Sequence, residues 1–179
     1  EAFRRQHGLG YTILRYFNAA GADPEGRLGE WHEPETHLIP LAIRGMMQDG
    51  FELTIFGDDF DTRDGSCVRD YIHLADLADA HARALGYLQE GGASNVFNLG
   101  TGTGTTVKEI VDAVERVSGQ QVRKSVGPRR EGDPPALVAS ADKARDVLGW
   151  TPQNSDIDTI IRTAWNWHRA EADRGYVGS

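Results

Sequence analysis

The chain has 179 residues, of which 39% are hydrophobic and 26% are charged, a balance typical of a globular domain with a real core. The formal net charge of −8 disfavours nucleic acid as a partner, because a phosphate backbone repels an acidic surface. No apolar run approaches the ~20 residues of a membrane-spanning helix. The single cysteine, Cys67, excludes an internal disulfide and predicts a reducing, cytoplasmic location. A partly buried position is favoured for it over a role as a nucleophile.

The first seven residues (EAFRRQH) are typical of the end of a helix, which Gly8 or Gly10 would cap. A natural chain rarely opens in the middle of a helix, so we expect sequence to be missing before it. Residues 11–17 (YTILRYF) form a β-branched and aromatic run of strand length. Residues 18–40 are irregular, and a loop of that length is usually functional.

The remainder of the chain alternates short strands with helices, which predicts an α/β or α+β domain whose strand order stays open. Thr106 and Glu109 form a capping-box pair at the start of the clearest helix. Ser140 is predicted to cap a helix that ends at Leu148. We predict strands at residues 53–56, 68–74 and 96–99, helices at residues 37–48 and 76–89, and a last helix with its core face at residues 157–164, before a frayed end at residues 175–179.

A glycine-rich segment at residues 100–104 (GTGTG) follows a predicted strand and precedes a helix, as a dinucleotide-binding turn would. The pattern G-x-G-x-x-G fails, because Thr105 occupies the position that needs the third glycine. No lysine follows at the spacing of a P-loop either. We therefore interpret the segment as a tight strand-to-helix turn.

Residues 129–135 (RREGDPP) place two arginines beside two acids in a loop stiffened by proline. The segment is either a solvated charge cluster or a site where an arginine fork meets a pyrophosphate and an aspartate accepts from ribose hydroxyls. Charge spacing leaves both interpretations open. Arg69 is equally ambiguous, since an ion pair with Asp70 or with the acidic loop at residues 57–65 would also explain it.

The histidines of the chain do not form a convincing metal-ligand set by their spacing. We expect satisfied or exposed side chains and no metal at His32, His37, His73 and His81. Neither a Ser-His-Asp nor a Cys-His arrangement has a local signature here. These patterns alone identify no catalytic group.

Several segments taken together resemble the UDP-glucose 4-epimerase family, within the extended short-chain dehydrogenase/reductases. They follow the family's order and spacing over nearly the whole chain. They are LRYFNAAGA at residues 14–22, HLIP at 37–40, LTIFG at 53–57, DTRDG at 61–65, VRDYIHLADLAD at 68–79, NLG at 98–100 and PRREGD at 128–133.

The resemblance implies an α/β fold that comprises the end of a Rossmann sheet and a smaller α/β substrate-binding domain. Residues 1–179 would be the substrate-binding C-terminal portion with the last elements of the NAD-binding domain. The N-terminal NAD-binding domain would be missing, together with the catalytic Ser or Thr and the Tyr-x-x-x-Lys pair. No catalytic residue is assigned here, because Tyr11 is followed four residues later by Arg15, and Tyr71 by Ala75.

By resemblance, the whole enzyme interconverts UDP-glucose and UDP-galactose through a 4-keto intermediate with bound NAD, as a homodimer. A related NAD-dependent nucleotide-sugar epimerase, dehydratase or decarboxylase is the alternative enzyme. A non-catalytic UDP-sugar-binding module is the alternative from another class. A Gly-rich turn and a Tyr-x-x-x-Lys pair upstream would separate the enzyme from the module.

The resemblance also implies roles for individual residues, most of them in holding the two halves of a UDP-sugar. Leu137 falls at a gatekeeper position beside the hexose 2-position, where leucine favours plain hexoses over N-acetylated ones, unless it is simply a core strand residue. The other implied roles are Tyr16 and Phe17 beside the nicotinamide, Arg69 and Arg130 on the diphosphate, Asp133 on the ribose, Leu53 and Phe56 at the uracil, Asn18 at the sugar-phosphate, and His37 and Leu38 at the start of the substrate-loop helix.

Overall fold

Helices and short strands alternate along residues 2–48 and 50–174, the part of the chain that the computed structural model describes. The predicted frayed end at residues 175–179 lies outside that part. The helices are α1 (Ala2–His7), α2 (Leu38–Met47), α3 (Leu74–Gln89), α4 (Val107–Ser118), α5 (Asp142–Leu148) and α6 (Ile157–Asp173). The strands are β1 (Thr12–Arg15), β2 (Asn18–Ala20), β3 (Leu53–Phe56), β4 (Val68–Arg69), β5 (Tyr71–His73), β6 (Asn95–Asn98), β7 (Thr105–Thr106), β8 (Lys124–Gly127) and β9 (Ala136–Leu137).

Helix starts agree with the sequence predictions only in part, since α3 begins at Leu74 rather than at the predicted Asp76. The predicted capping box is confirmed, because the Thr106 hydroxyl accepts from the Glu109 backbone N–H at 3.0 Å and the Glu109 carboxylate accepts from the Thr106 N–H at 2.9 Å. The predicted cap at Ser140 is wrong by one residue, since Ala141 is the N-cap of α5. The Ser140 hydroxyl nevertheless contacts the first turn, since it accepts from the Asp142 backbone N–H at 3.3 Å and donates to the Asp142 carboxylate at 2.6 Å.

Four small sheets organise the strands in the described part of the chain. β1 pairs in parallel with β6, β2 with β5 and β3 with β8, while β4 lies between antiparallel β7 and parallel β9. The predicted strand at residues 68–74 is divided at Asp70, whose buried carboxylate accepts from the backbone N–H groups of Thr101 and Ala139 at 3.0 and 3.1 Å. This network ties the glycine-rich turn to the sheet, and the two-residue strand β7 separates the turn from α4.

Two hydrophobic cores lie behind these sheets. The first, called here the α2–α4–α6 core, joins one face of each of those helices through Ile43, Ile110, Val114, Ile160 and Ile161. The second, called here the α3–α5 core, is built on β5 and β6 and contains Ile72, Phe97, Leu99, Leu148 and Trp150. No helix of the described residues combines the length and the hydropathy of a bilayer-spanning segment.

The outer side of β1 is less well covered. Its burial alternates, with Leu14 packed against the α3–α5 core and Ile13 43% exposed. Nearby in sequence, Phe3 is 68% and Leu9 58% exposed. Among the described residues β1 pairs with β6 alone, so its other edge presents unpaired backbone groups beside apolar surface.

Candidate functional site

A cavity of about 920 Å³ opens beside the ends of β1, β3 and β4 and the first turn of α2. Its volume lies within the range of small-molecule sites. Ligands of open α/β sheets bind at the carboxyl ends of the strands, which is where three of these segments meet it. The lining includes these residues predicted from the sequence: Tyr16, Phe17, Asn18, His37, Leu38, Leu53, Phe56, Arg69, Arg130 and Asp133.

Arg69 lies largely buried in the wall of the cavity. Its guanidinium forms an ion pair with the Asp133 carboxylate and donates to the Pro134 carbonyl at 3.0 Å. The two partners suggested by sequence spacing, Asp70 and the acidic loop, are therefore not the ones that the structure shows. The Arg69–Asp133 pair fastens the loop at residues 128–135 to β4 and keeps both charges at the cavity.

The two neighbouring arginines of that loop have different surroundings. The Arg130 guanidinium carbon lies 4.0 Å from the centre of the Phe56 ring, and both side chains line the cavity. Arg129 points to the other side, where its Nε donates to the Asp59 carboxylate at 2.6 Å and its guanidinium covers the Phe60 ring at 4.3 Å. Only Arg130 of the two lines the cavity.

Tyr16, Phe17 and Asn18 link β1 to β2 at the mouth of the cavity. The two aromatic side chains are about half exposed, which leaves aromatic faces available to a planar ligand. The Asn18 side-chain amide donates to the Asp70 carbonyl at 2.9 Å. That bond fixes the amide at the point where β4 and β5 separate.

Neither Cys67 nor Tyr71, both of which line the cavity, is prepared to act as a base or nucleophile. Burial raises the pKa of the Tyr71 phenol to about 12. Burial also raises the pKa of the Cys67 thiol, whose Sγ lies 3.8 Å from an Asp133 carboxylate oxygen. The anionic forms of both groups are therefore scarce near neutral pH.

The loop before α2 forms another wall of the cavity. His37 Nδ1 lies 2.6 Å from Glu30 Oε1, and burial raises the pKa of the Glu30 carboxyl against the opposing effect of His37. Trp167 of α6 donates its Nε1–H to the Glu30 carbonyl at 3.1 Å. A Cβ at Gly29 would lie 2.3 Å from the same indole, so glycine is required for this close approach.

Sequence reasoning missed several residues that line the cavity. Glu30, Trp167 and His168 line the cavity, but no local pattern signals them, because α6 reaches the loop across more than a hundred residues of chain. Leu137 is not in the lining. It is half-buried in β9 in register with Arg69 of β4, and residues paired in this way on neighbouring strands share a face of the sheet.

The fold and the cavity define an α/β protein with a site for a small ligand, lined by arginine, aspartate and aromatic side chains. The profile of the NAD dependent epimerase/dehydratase family matches residues 1–100, more than half of the chain. The chain belongs to that family.

Within this family, the chain is similar to several UDP-glucose 4-epimerases. UDP-glucose 4-epimerase from Rhizobium meliloti (strain 1021) is 63% identical over 163 residues, which cover 90% of this chain and 49% of the relative. A crystal structure of UDP-glucose 4-epimerase superposes with a TM-score of 0.92 at 49% identity, covering 96% of this chain and 52% of that one. The enzyme from Brucella ovis, solved in complex with NAD, gives 0.87 at 49% identity over 92% and 51% of the two chains.

These similarities confirm the α/β fold class and the resemblance to UDP-glucose 4-epimerases. The chain spans about half the length of the curated relatives it matches.

Proposed function

We propose that the complete protein is a UDP-glucose 4-epimerase that interconverts UDP-glucose and UDP-galactose with bound NAD, and that this chain supplies its UDP-sugar site. The cavity with Arg69, Arg130, Phe56 and Asp133 in its wall carries the proposal. Curated relatives with that activity, 47–63% identical, support it. A cytoplasmic homodimer that acts in galactose metabolism, with its NAD-binding domain preceding this C-terminal portion, belongs to the same proposal.

The diphosphate is held by positive charge and by backbone donors. Arg130 supplies a guanidinium at the cavity surface, and Arg69 a second one positioned by Asp133. Leu38 begins α2, whose first N–H groups lack helical partners and favour an anion. These groups explain how a chain with a net charge of −8 can bind an anionic ligand.

The remaining contacts belong to the nucleoside and the sugar. Phe56 and the backbone of Leu53 border the uracil, Asp133 accepts from the ribose, and Asn18 and His37 reach the sugar-phosphate. The hexose must turn over within the site, so few groups should hold it tightly. This chain anchors the UDP while the sugar stays loosely held.

The half-exposed rings of Tyr16 and Phe17 fit a nicotinamide at the mouth of the cavity. Bound there, NAD would supply the hydride-transfer chemistry of the epimerisation. This chain's own residues border the cofactor and orient the UDP-sugar, but they supply no base. Tyr71 is buried with its pKa raised to about 12 and is followed four residues later by alanine rather than lysine.

The proposal is tested by assaying the complete protein and the 179-residue chain with UDP-galactose and added NAD. We expect turnover by the complete protein and none by the chain. Turnover by the chain would place catalytic groups in it and contradict the assignment. A complete protein that binds UDP yet converts neither sugar would instead be a binding module.

A further inference from the structure

Three side chains with metal-binding donors converge in the loop at residues 30–37. His32, Glu35 and His37 each offer one ligand atom, and these atoms all lie within 4.8 Å of one another. The two imidazole ring centres are 5.5 Å apart. His32 and His37 are only five residues apart in the sequence, but their convergence with Glu35 depends on the fold of the loop.

One oxygen of the Glu35 carboxylate is satisfied and the other is not: Oε1 accepts from the backbone N–H groups of Thr36 and His37 at 2.7 and 2.9 Å, and Oε2 lacks a hydrogen-bond partner among the described residues. The Glu35 side chain is only 4% exposed, and Oε2 is buried. The closest cation, Arg44 Nη1, lies 3.9 Å from that oxygen, beyond hydrogen-bond distance. Burying a carboxylate oxygen without a partner is unfavourable, and a bound cation would remove that cost.

The surroundings of the cluster are negatively charged. Glu30 Oε1 lies 2.6 Å from His37 Nδ1, the kind of carboxylate partner that orients a metal-binding imidazole. Arg44 carries the opposite charge but already pairs with Glu33 at 3.3 Å and covers the Trp31 ring at 5.0 Å. The carboxylates therefore outnumber the nearby guanidinium, and Arg44 of α2 ties the loop to that helix by donating to the His32 carbonyl at 3.2 Å.

We propose that His32, Glu35 and His37 form a binding site for a divalent transition-metal ion, with Zn²⁺ as the best fit. Two imidazoles and one carboxylate are a ligand set that zinc uses in proteins. A tetrahedral zinc ion with bonds of about 2.1 Å separates its ligand atoms by about 3.4 Å, so a small closure of the cluster suffices. The ion joins the loop to the start of α2 at the rim of the cavity, and while bound it takes the place of the contact between His37 and the sugar-phosphate.

Metal binding is measured on the complete protein without a polyhistidine tag, after chelator treatment, by equilibrium dialysis against Zn²⁺ and elemental analysis. We expect His32→Ala and Glu35→Gln each to weaken one zinc site per protomer by at least about tenfold relative to wild type. His81→Ala and Glu25→Gln are the matched controls, since both replace exposed residues outside the cluster. They should bind as much zinc as wild type.

Two further measurements make the result decisive. Zn²⁺ should raise the Tm of the wild type and of both controls but not that of the ligand variants, and Co²⁺ should give the visible absorption of a tetrahedral site only in proteins that bind zinc. Equal zinc binding by wild type and Glu35→Gln would overturn the proposal, and that isosteric change decides even if His32→Ala does not fold. Because binding is measured without turnover, the outcome is independent of the proposed epimerase activity.

Discussion

The α2–α4–α6 core and the α3–α5 core differ in how the chain covers them. Around the first, the loop at residues 21–37 packs onto α2 and α6, with Trp167 fixed against Glu30 and Gly29. Beside the second, β1 buries Leu14 but exposes Ile13 next to an unpaired edge of the described sheet. Parallel sheets in α/β proteins are normally covered on both faces. Among the described residues, the α1–β1 side therefore exposes an unpaired strand edge and apolar side chains, whereas the cavity-bearing side is covered by a loop packed on two helices.

Matched isoleucine substitutions give the largest expected effect. Ile160 is 0% exposed and Ile13 43%, so Ile160→Ala should lower the free energy of unfolding by about 2–5 kcal/mol in the complete protein. If a further layer of the complete protein covers β1, Ile13→Ala should lower the free energy of unfolding by more than about 1 kcal/mol. The exposure of Ile13 in this chain alone predicts a smaller loss. Urea unfolding of both variants measures the difference. A negligible cost at Ile13 would mean that the α1–β1 face stays in contact with solvent.

Acidification should weaken the cavity-bearing side through His168 of α6. Burial, aided by the charge of Arg44, lowers the pKa of His168 from 6.5 to about 4. The unfolded chain therefore binds a proton between pH 6.5 and pH 4 that the folded chain does not, so stability falls as the pH falls through this window and levels off below it. The loss should reach about 3 kcal/mol. Urea unfolding of wild type and His168→Gln at a series of pH values measures the contribution of His168, since the free energy of unfolding of the variant should lack this part of the pH dependence.

The two adjacent arginines provide a matched test of the site itself. Arg130→Ala and Arg69→Ala should each weaken UDP binding to the complete protein by about 1.5–3 kcal/mol, because each removes a charge-assisted contact. Arg129→Ala should leave it nearly unchanged, since Arg129 pairs with Asp59 outside the cavity. Calorimetry with UDP and UDP-glucose should give equal losses, as the contact is to their shared part. If UDP affinity is unchanged in both Arg69→Ala and Arg130→Ala, neither guanidinium contacts the diphosphate, and the two side chains have only a structural role.

Local sequence patterns predicted most helices and the longer strands, but they identified few of the residues that line the cavity. The capping box at Thr106 and the glycine end of α5, where Gly149 has a φ of +61°, depend on neighbours in the sequence and were readable there. The short strands β2, β7, β8 and β9 were missed, because two to four residues with no apolar alternation give no periodic signal.

The site depends on contacts between distant segments. Charge spacing left Arg129 and Arg130 equivalent, because only the fold decides which one meets Asp59 and which meets Phe56. Most cavity residues were assigned through the family resemblance rather than through any local pattern. Neither a local pattern nor the family resemblance indicated that Trp167 and His168 of α6 line the cavity.

The smallest expected effect concerns Leu137. Substitutions there test whether the sugar site extends beyond the cavity that this chain forms. Leu137 shares a face of the sheet with Arg69 through their register in β9 and β4, although it does not line the cavity. If it limits the space beside the hexose 2-position, Leu137→Tyr should lower the ratio of kcat/KM for UDP-N-acetylglucosamine to that for UDP-glucose, and Leu137→Ser should raise it. Each change should be about tenfold or less, since a pocket discriminates weakly by size alone.

Both substrate pairs are compared in the complete enzyme, with wild type expected to prefer the plain hexoses. Val138, the next residue along the chain and exposed rather than half-buried, supplies the control substitution Val138→Ser. If the kcat/KM ratio changes in the Leu137 variants but not in Val138→Ser, the residue that limits the sugar pocket lies on the sheet face that carries Arg69. If the ratio moves in neither Leu137 variant, the side chain only packs within its sheet, and the determinants of sugar choice lie among the residues that line the cavity or outside this chain.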